Sequence, residues 1–228
     1  MNELILTKRV HLIDPLSIND YINMDGYKAI NKALNNNANF LIEEIKTSGL
    51  IGKGGANFPT GIKVETVAKQ EGIKYLICNA DEGEPGNFKD KYLIEHDPHS
   101  LIEGMIILSY IIGCDKAYIY VREEYDKSRN TLIEAIKQAK ENGFLGNNIL
   151  NTGFSLEIEI HSGAGSYLCG EECALISSIE GNKGKTRIKP PFPATSGLFG
   201  KPTLLLNVET IANIPYIIEH GGNEYKIK

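Results

Sequence analysis

Three glycines at positions 52, 54 and 55, set in the words GLIGKGGANFPTG, are the first residues in the chain whose type and spacing suit chemistry. Without a Cβ they permit positive φ, let a ligand lie on the chain and expose N–H donors ahead of a helix. That suits a phosphate or pyrophosphate, and Phe58 adds an aromatic face able to stack on a base. A plain flexible loop and a core aromatic fit the same letters, because the lysine-threonine ending of a P-loop is absent and no strand precedes the glycines. A second group, Asn79, Asp81, Glu82 and Glu84, packs four acceptor side chains into six positions. It reads as a divalent-metal site, as a set reading ribose hydroxyls and a ring edge, or as a solvated acidic turn. His96 and His99 lie too far on to make a transition-metal site of it.

A third group, Glu171 and Glu172 in GAGSYLCGEECAL, follows closely spaced glycines including Gly170. Carboxylates there are favoured by a helix N-terminus whatever their role, and they also suit hydroxyl recognition. The stretch 181–203 carries four prolines and four glycines, so it forms a long loop. Within it Arg187, Lys189 and Phe192 either meet an anionic aromatic ligand or sit on a surface excursion.

These groups need elements to hold them. Helical patterning covers residues 18–34 and 40–48, the second ending near Gly49, and a third helix starts at Pro59-Thr60 with Ile62, Val64 and Val67 apolar. KYLICNA then reads as a buried strand. Helix 99–112, strand 117–121, helix 124–141 with an apolar stripe of Leu132, Ile133, Ile136 and Ala139, strand 154–161, helix 166–180, strand 203–208 and helix 208–219 complete the alternation. Alternating strands and helices predict an α/β fold, a mostly parallel sheet with helices on both faces, preceded by a short helical leader. We expect a leader over 1–48, a ligand-binding domain over 49–222 and a tail over 223–228. In such sheets ligands lie beyond the carboxyl ends of the strands. Three of the four groups leave those ends or precede a helix beside them.

Bulk properties narrow the function. The 228 residues carry 24 basic against 29 acidic side chains, a formal charge of -5. No concentrated basic face is visible, which argues against a nucleic-acid partner. No run reaches the roughly 18 to 20 apolar residues that span a bilayer, and MNELILTKRV lacks the layout of a signal peptide. The expectation is a cytoplasmic chain without membrane insertion. Cys78, Cys114, Cys169 and Cys173 include no C-x-x-C pair, so neither a zinc site nor a resident iron-sulfur cluster is expected. Cys169 and Cys173 share a face if one helix carries both.

Five words in order, SGLIGKGGANFPTGIK, CNADEGEPGNFKDKYLIEHDPH, GAGSYLCGEECAL, KPPFPATSGLFGKPT and NVETIANIP, resemble the flavin-binding 51 kDa NADH dehydrogenase subunit of respiratory complex I. Related flavin subunits of bifurcating hydrogenases and NAD-linked formate dehydrogenases share them, and the likeness covers roughly residues 12–221. It implies a Rossmann-like domain holding FMN non-covalently, with NADH stacking on the flavin and giving it a hydride, so no catalytic side chain is demanded. By the same matching words, Gly52, Gly54, Gly55, Lys63, Asn79, Asp81, Gly170, Glu171, Asn207 and Thr210 contact FMN. Phe58, Phe192, Glu84, Glu172 and Lys189 meet NADH, the two phenylalanines around its adenine. An iron-sulfur or other electron-accepting protein is the implied partner.

Two departures from the family pattern weaken single contacts. Leu206 stands where a second asparagine usually precedes VET, and a second aromatic after PTG is replaced by Thr66 or a neighbour. The family's later β-grasp and iron-sulfur segments have no counterpart in these words. The alternative reading is therefore a flavin-binding scaffold or truncated remnant that holds FMN without taking hydride.

Overall fold

In the computed structural model, residues 4–163, 167–186 and 188–228 are described, apart from the side chains of Tyr167 and Cys169. The chain opens with α1 (Ile18–Asn23) and α2 (Lys28–Leu34), in place of the single expected helix. Asp25 and Tyr27 both take positive φ between them, which breaks the helical path. Next come α3 (Ala38–Ser48), closed by Gly49 in the left-handed region, and α4 (Thr60–Ala68). Strand β1 (Tyr75–Ala80) is followed by α5 (Lys89–His96) and then by α6 (Pro98–Ile112). Then follow β2 (Lys116–Val121), α7 (Asp126–Glu141) and β3 (Glu157–Ser162).

The helix expected over 166–180 is divided. A 3-10 turn spans Tyr167–Gly170, and Glu171, in extended conformation, caps α8 (Glu172–Ile179). Cys169 and Cys173 thus belong to different elements. The proline-rich stretch holds α9 (Pro193–Ser196) and leads into β4 (Thr203–Asn207). The expected closing helix is two, α10 (Val208–Ala212) and α11 (Ile214–His220), since Pro215 has no N–H to continue the ladder. Finally, α12 (Gly222–Ile227) packs on α3.

Among the described residues the four strands are all parallel, in the order β3-β2-β1-β4. Their alternation divides the core. Leu76, Cys78 and Ala80 of β1 join one large buried layer with Ile119, Val121, Leu204 and Leu206, under residues from α1 to α7, α10 and α11. Ile77, Tyr118, Tyr120 and Leu205 face the other way, beneath Leu175 and Ile176 of α8 and Leu198. Helices therefore cover both faces, as a parallel sheet requires. The N-terminal helices contribute Ile18, Tyr21, Ile30, Leu41 and Ile45 to the larger layer, so residues on both sides of position 48 share one core.

Helix α7 shows the local rule. Leu132, Ile136 and Ala139 are buried with Ala135, whereas Ile133 is 52% exposed and drops out of the expected stripe, being one residue, about 100°, round from Leu132. Helix α6 is apolar nearly all round and is buried along almost its whole length. Its Gly104 permits a close crossing, because a Cβ there would lie 2.3 Å from the backbone oxygen of Ile211 in α10. No helix among the described residues is long and apolar enough to cross a membrane.

Candidate functional site at the sheet switch point

The order in which strands are added to the sheet reverses between β1 and β4. From β1 the path runs outward to β2 and β3, then returns across the sheet to β4 on the opposite side. Such a reversal leaves a crevice beyond the carboxyl ends of the two strands. Here those ends carry Asn79 and Asn207, paired in register. A cleft of about 600 Å³ opens beside them, lined by Lys53, Gly54, Gly55, Asp81, Glu84, Asn87, Lys89, Asp90, Gly170 and Glu171 among others.

The glycine loop forms one wall as a closed tongue. Gly52 N–H donates to the carbonyl of Phe58 at 2.8 Å, and Thr60 N–H donates to that of Leu50 at 2.9 Å. The backbone N–H of Lys53 donates to Thr210 Oγ1 at 2.9 Å, which fastens the tongue to α10. Of the three glycines only Gly55 has a positive φ. Gly54 and Gly55 line the cleft, whereas Gly52 and Thr210 hold the wall from behind.

Among the described residues, Asn79 is held by backbone groups. Its Nδ2 donates to the carbonyl of Gly170 at 2.9 Å, and its Oδ1 accepts from the N–H of Asp81 at 3.0 Å. A Cβ on Gly170 would sit 3.2 Å from the Asp81 carbonyl, a crossing tight enough that a side chain there would push the backbone back by a few tenths of an ångström. Burial pushes the carboxyls of Asp81, Glu82 and Asp90 up from their ordinary range. Arg122, 3.9 Å from Asp81, opposes that shift, as Lys89 does for Asp90.

Beside the cleft lies a four-charge cluster whose members are scattered over more than a hundred positions of sequence. Lys63 Nζ is 2.6 Å from Glu172 Oε1, and Lys189 Nζ lies 3.3 Å from Glu172 Oε2 and 3.2 Å from Glu171 Oε1. Burial works to raise the Glu172 carboxyl, but the two lysines hold it below its usual value. Glu171 also caps α8, its Oε2 accepting from the N–H groups of Cys173 and Ala174. The cluster therefore ties α4, α8 and the proline-rich stretch together at the edge of the site.

Not every expected residue lines the cleft. Lys63, Phe58, Glu172, Lys189 and Phe192 lie outside its lining, the two phenylalanines being 50% and 58% exposed. Arg187 falls outside the described residues. Six lining residues go beyond the sequence expectations: Lys53, Gly83, Asn87, Lys89, Asp90 and Leu168. Lys53 stands inside the glycine loop, where the signal comes from the glycines and a lysine adds none of its own. Lys89 and Asp90 begin α5, a helix hidden in the sequence because its letters NFKDK read as a strand exit. Among the described residues Lys53 has no ion pair, while the other lysines at the site are all paired. No group of three potential metal ligands occurs among the described residues.

A four-stranded parallel sheet with a glycine tongue, two register-paired asparagines and acidic exits at its reversal point defines a nucleotide-binding α/β domain. Residues 45–216 match the Nuo51 FMN-binding domain of the complex I 51 kDa family, and the chain belongs to that family. It is 54% identical over 218 residues to a subunit of the NADH-quinone oxidoreductase of Aquifex aeolicus, covering 96% of this chain and 50% of that one. Identity is 47% over 220 residues to the HndC subunit of the NADP-reducing hydrogenase of Solidesulfovibrio fructosivorans, 96% of this chain and 45% of the relative. A solved NAD+-reducing [NiFe]-hydrogenase in its H2-reduced state superposes with a TM-score of 0.80 at 34% identity, over 96% of this chain and 36% of that one. The chain thus spans about half the length of the curated relatives it matches.

Proposed function

We propose that the chain binds FMN in the switch-point cleft and forms the NADH-oxidising, electron-entry part of an oxidoreductase. The carrying observation is that the family's FMN-binding domain coincides with a cleft whose walls suit that molecule. Tongue residues Gly54 and Gly55 leave backbone accessible, and Lys53 adds a cation without an ion pair among the described residues, on the same wall, for the phosphate. Asn79 and Asn207 offer amides to the polar edge of a flat ring, and Asp81, Gly170 and Glu171 complete that side.

When bound, FMN supplies the ring that accepts a hydride from NADH. The chain's own work is binding and orientation. Gly52 and Thr210 brace the tongue, and Lys63 steadies Glu172 beside the cleft. Glu84 on the cleft wall disfavours a ribose that carries an extra phosphate, through like-charge repulsion, whereas the charge of Glu172 is already matched by Lys63 and Lys189. Phe58 and Phe192 expose rings on which an adenine can stack, and Lys189 adds a cation close to Phe192 in sequence.

Electrons leave to a partner protein, a reading supported by relatives named as subunits of quinone-reducing and hydrogenase enzymes. Titrating the FMN-loaded chain with NADH without oxygen tests the function. Bleaching of the visible flavin band is the expected result. FMN binding with no NADH-dependent change would leave the chain a flavin-holding scaffold and end the dehydrogenase reading.

A further inference from the structure

An asparagine amide presents two opposite faces to a ligand, an oxygen that accepts and a nitrogen that donates, and rotating it by half a turn exchanges them. At Asn207 that choice is made by charges. Its Oδ1 accepts from Lys89 Nζ at 2.9 Å and from the backbone N–H of Glu209 at 3.1 Å. Its Nδ2 donates to Asp90 Oδ2 at 2.5 Å. The other oxygen of Asp90 accepts from the same Lys89 ammonium at 2.6 Å. Lys89 also reaches Glu209 Oε2 at 3.2 Å, so its three donors are spent within this group.

The Lys89–Asp90 pair therefore closes round one amide. Reversing Asn207 would set an N–H pair against an ammonium and a backbone N–H, and an oxygen against a carboxylate. Asp90, with a side chain 4% exposed, has little water to relieve such a mismatch. The register partner Asn79 differs, because among the described residues its amide is fixed by backbone groups. Of the two amides at the switch point, only that of Asn207 is oriented by side chains among the described residues.

We propose that Asp90, together with Lys89, is a positioning residue that fixes the Asn207 amide so that its second N–H is the group offered to the cleft. This wall of the site then presents a donor, complementary to a carbonyl oxygen or unprotonated ring nitrogen of the bound ring and adverse to an N–H edge. The identity of that ring rests on the FMN reading above, whereas the clamp itself does not.

Two measurements on the 228-residue chain test it. In 1H–15N spectra without flavin, the Asn207 side-chain pair is assigned by its loss in Asn207→Ser. Its two proton shifts should be widely separated, and Asp90→Asn should collapse the separation. In a fluorescence-quenching titration, Asp90→Asn should weaken FMN binding about tenfold, yet by less than about twofold when Asn207 is already Ala. If Asp90→Asn folds poorly, Lys89→Met at the partly exposed end of the clamp replaces it and should show the same coupling. An amide pair indifferent to both substitutions, or effects on affinity that multiply in the double variant, would overturn the proposal. A wild-type chain that binds no FMN would contradict the functional reading, and the amide spectra would still decide the clamp.

Discussion

The division of labour among the lysines is the sharpest point at the level of single residues. Lys63, Lys89 and Lys189 are each committed to carboxylates, which leaves Lys53 as the unpaired cation of the cleft among the described residues. Lys53→Met should therefore cost FMN about 1.5–3 kcal/mol while leaving riboflavin, which lacks the phosphate, nearly unaffected. Parallel fluorescence titrations with the two flavins check this, and equal losses would remove Lys53 from the phosphate site. Phe58, on the same tongue but outside the cleft lining, should behave oppositely. Phe58→Ala is expected to weaken NADH more than FMN, read from paired titrations with each. Much of this is legible in the letters, because glycines, amides and carboxylates at strand exits are a chemical inventory that survives without coordinates. Which lysine is unpaired is not, since Lys63 and Glu172 meet at 2.6 Å across 109 positions of sequence.

At the scale of elements, the site depends on where α10 starts. Asn207 caps that helix, its Oδ1 accepting from the N–H of Glu209, and α10 crosses α6 at Gly104 without space for a methyl group. Gly104→Ala should destabilise the fold by about 1–3 kcal/mol, the usual cost of overpacking, and should weaken FMN binding although position 104 does not line the cleft. Urea unfolding and flavin titration of the same variant measure both effects. The four strands and their order of alternation with helices are readable because buried parallel strands give continuous apolar runs such as Tyr75–Ala80. Helix boundaries are less so. Residues 167–180 have a helical composition, yet Glu171 turns extended to cap α8, and that outcome depends on its bonds to Cys173 and Ala174 and its contact with Lys189. Helix α5 is hidden for a related reason, as its first turn doubles as cleft wall and its letters read as a ligand-binding loop.

Across the whole molecule, the N-terminal helices are anchored to α6 by buried polar groups as well as apolar packing. Glu103, fully inside, accepts from Tyr21 Oη at 2.5 Å and from the backbone N–H groups of Tyr27 and Ala29 at 3.0 and 3.1 Å. Burial pushes its carboxyl from 4.5 up to about 7, against the pull of those bonds and of Arg9. The folded chain thus keeps a proton on Glu103 that the unfolded chain releases, so this group's stabilising contribution is complete below pH 4.5 and is lost as pH rises through about 7. Asp97, raised by burial to about 6, acts in the same direction, whereas His99, lowered by burial to about 4, acts in the opposite one. The stability difference between wild type and Glu103→Gln isolates the Glu103 part. In urea unfolding it should move against the wild type as pH rises from 4.5 to about 7, and a difference independent of pH would contradict the burial argument. None of this network is visible in the sequence, where Glu103 only interrupts an apolar run. For the molecule as a redox module, the decisive experiment is anaerobic addition of NADH to the FMN-loaded chain. A redox module loses its visible flavin absorption in proportion to added NADH, whereas full retention of that band at saturating NADH would mean that the bound flavin takes no hydride.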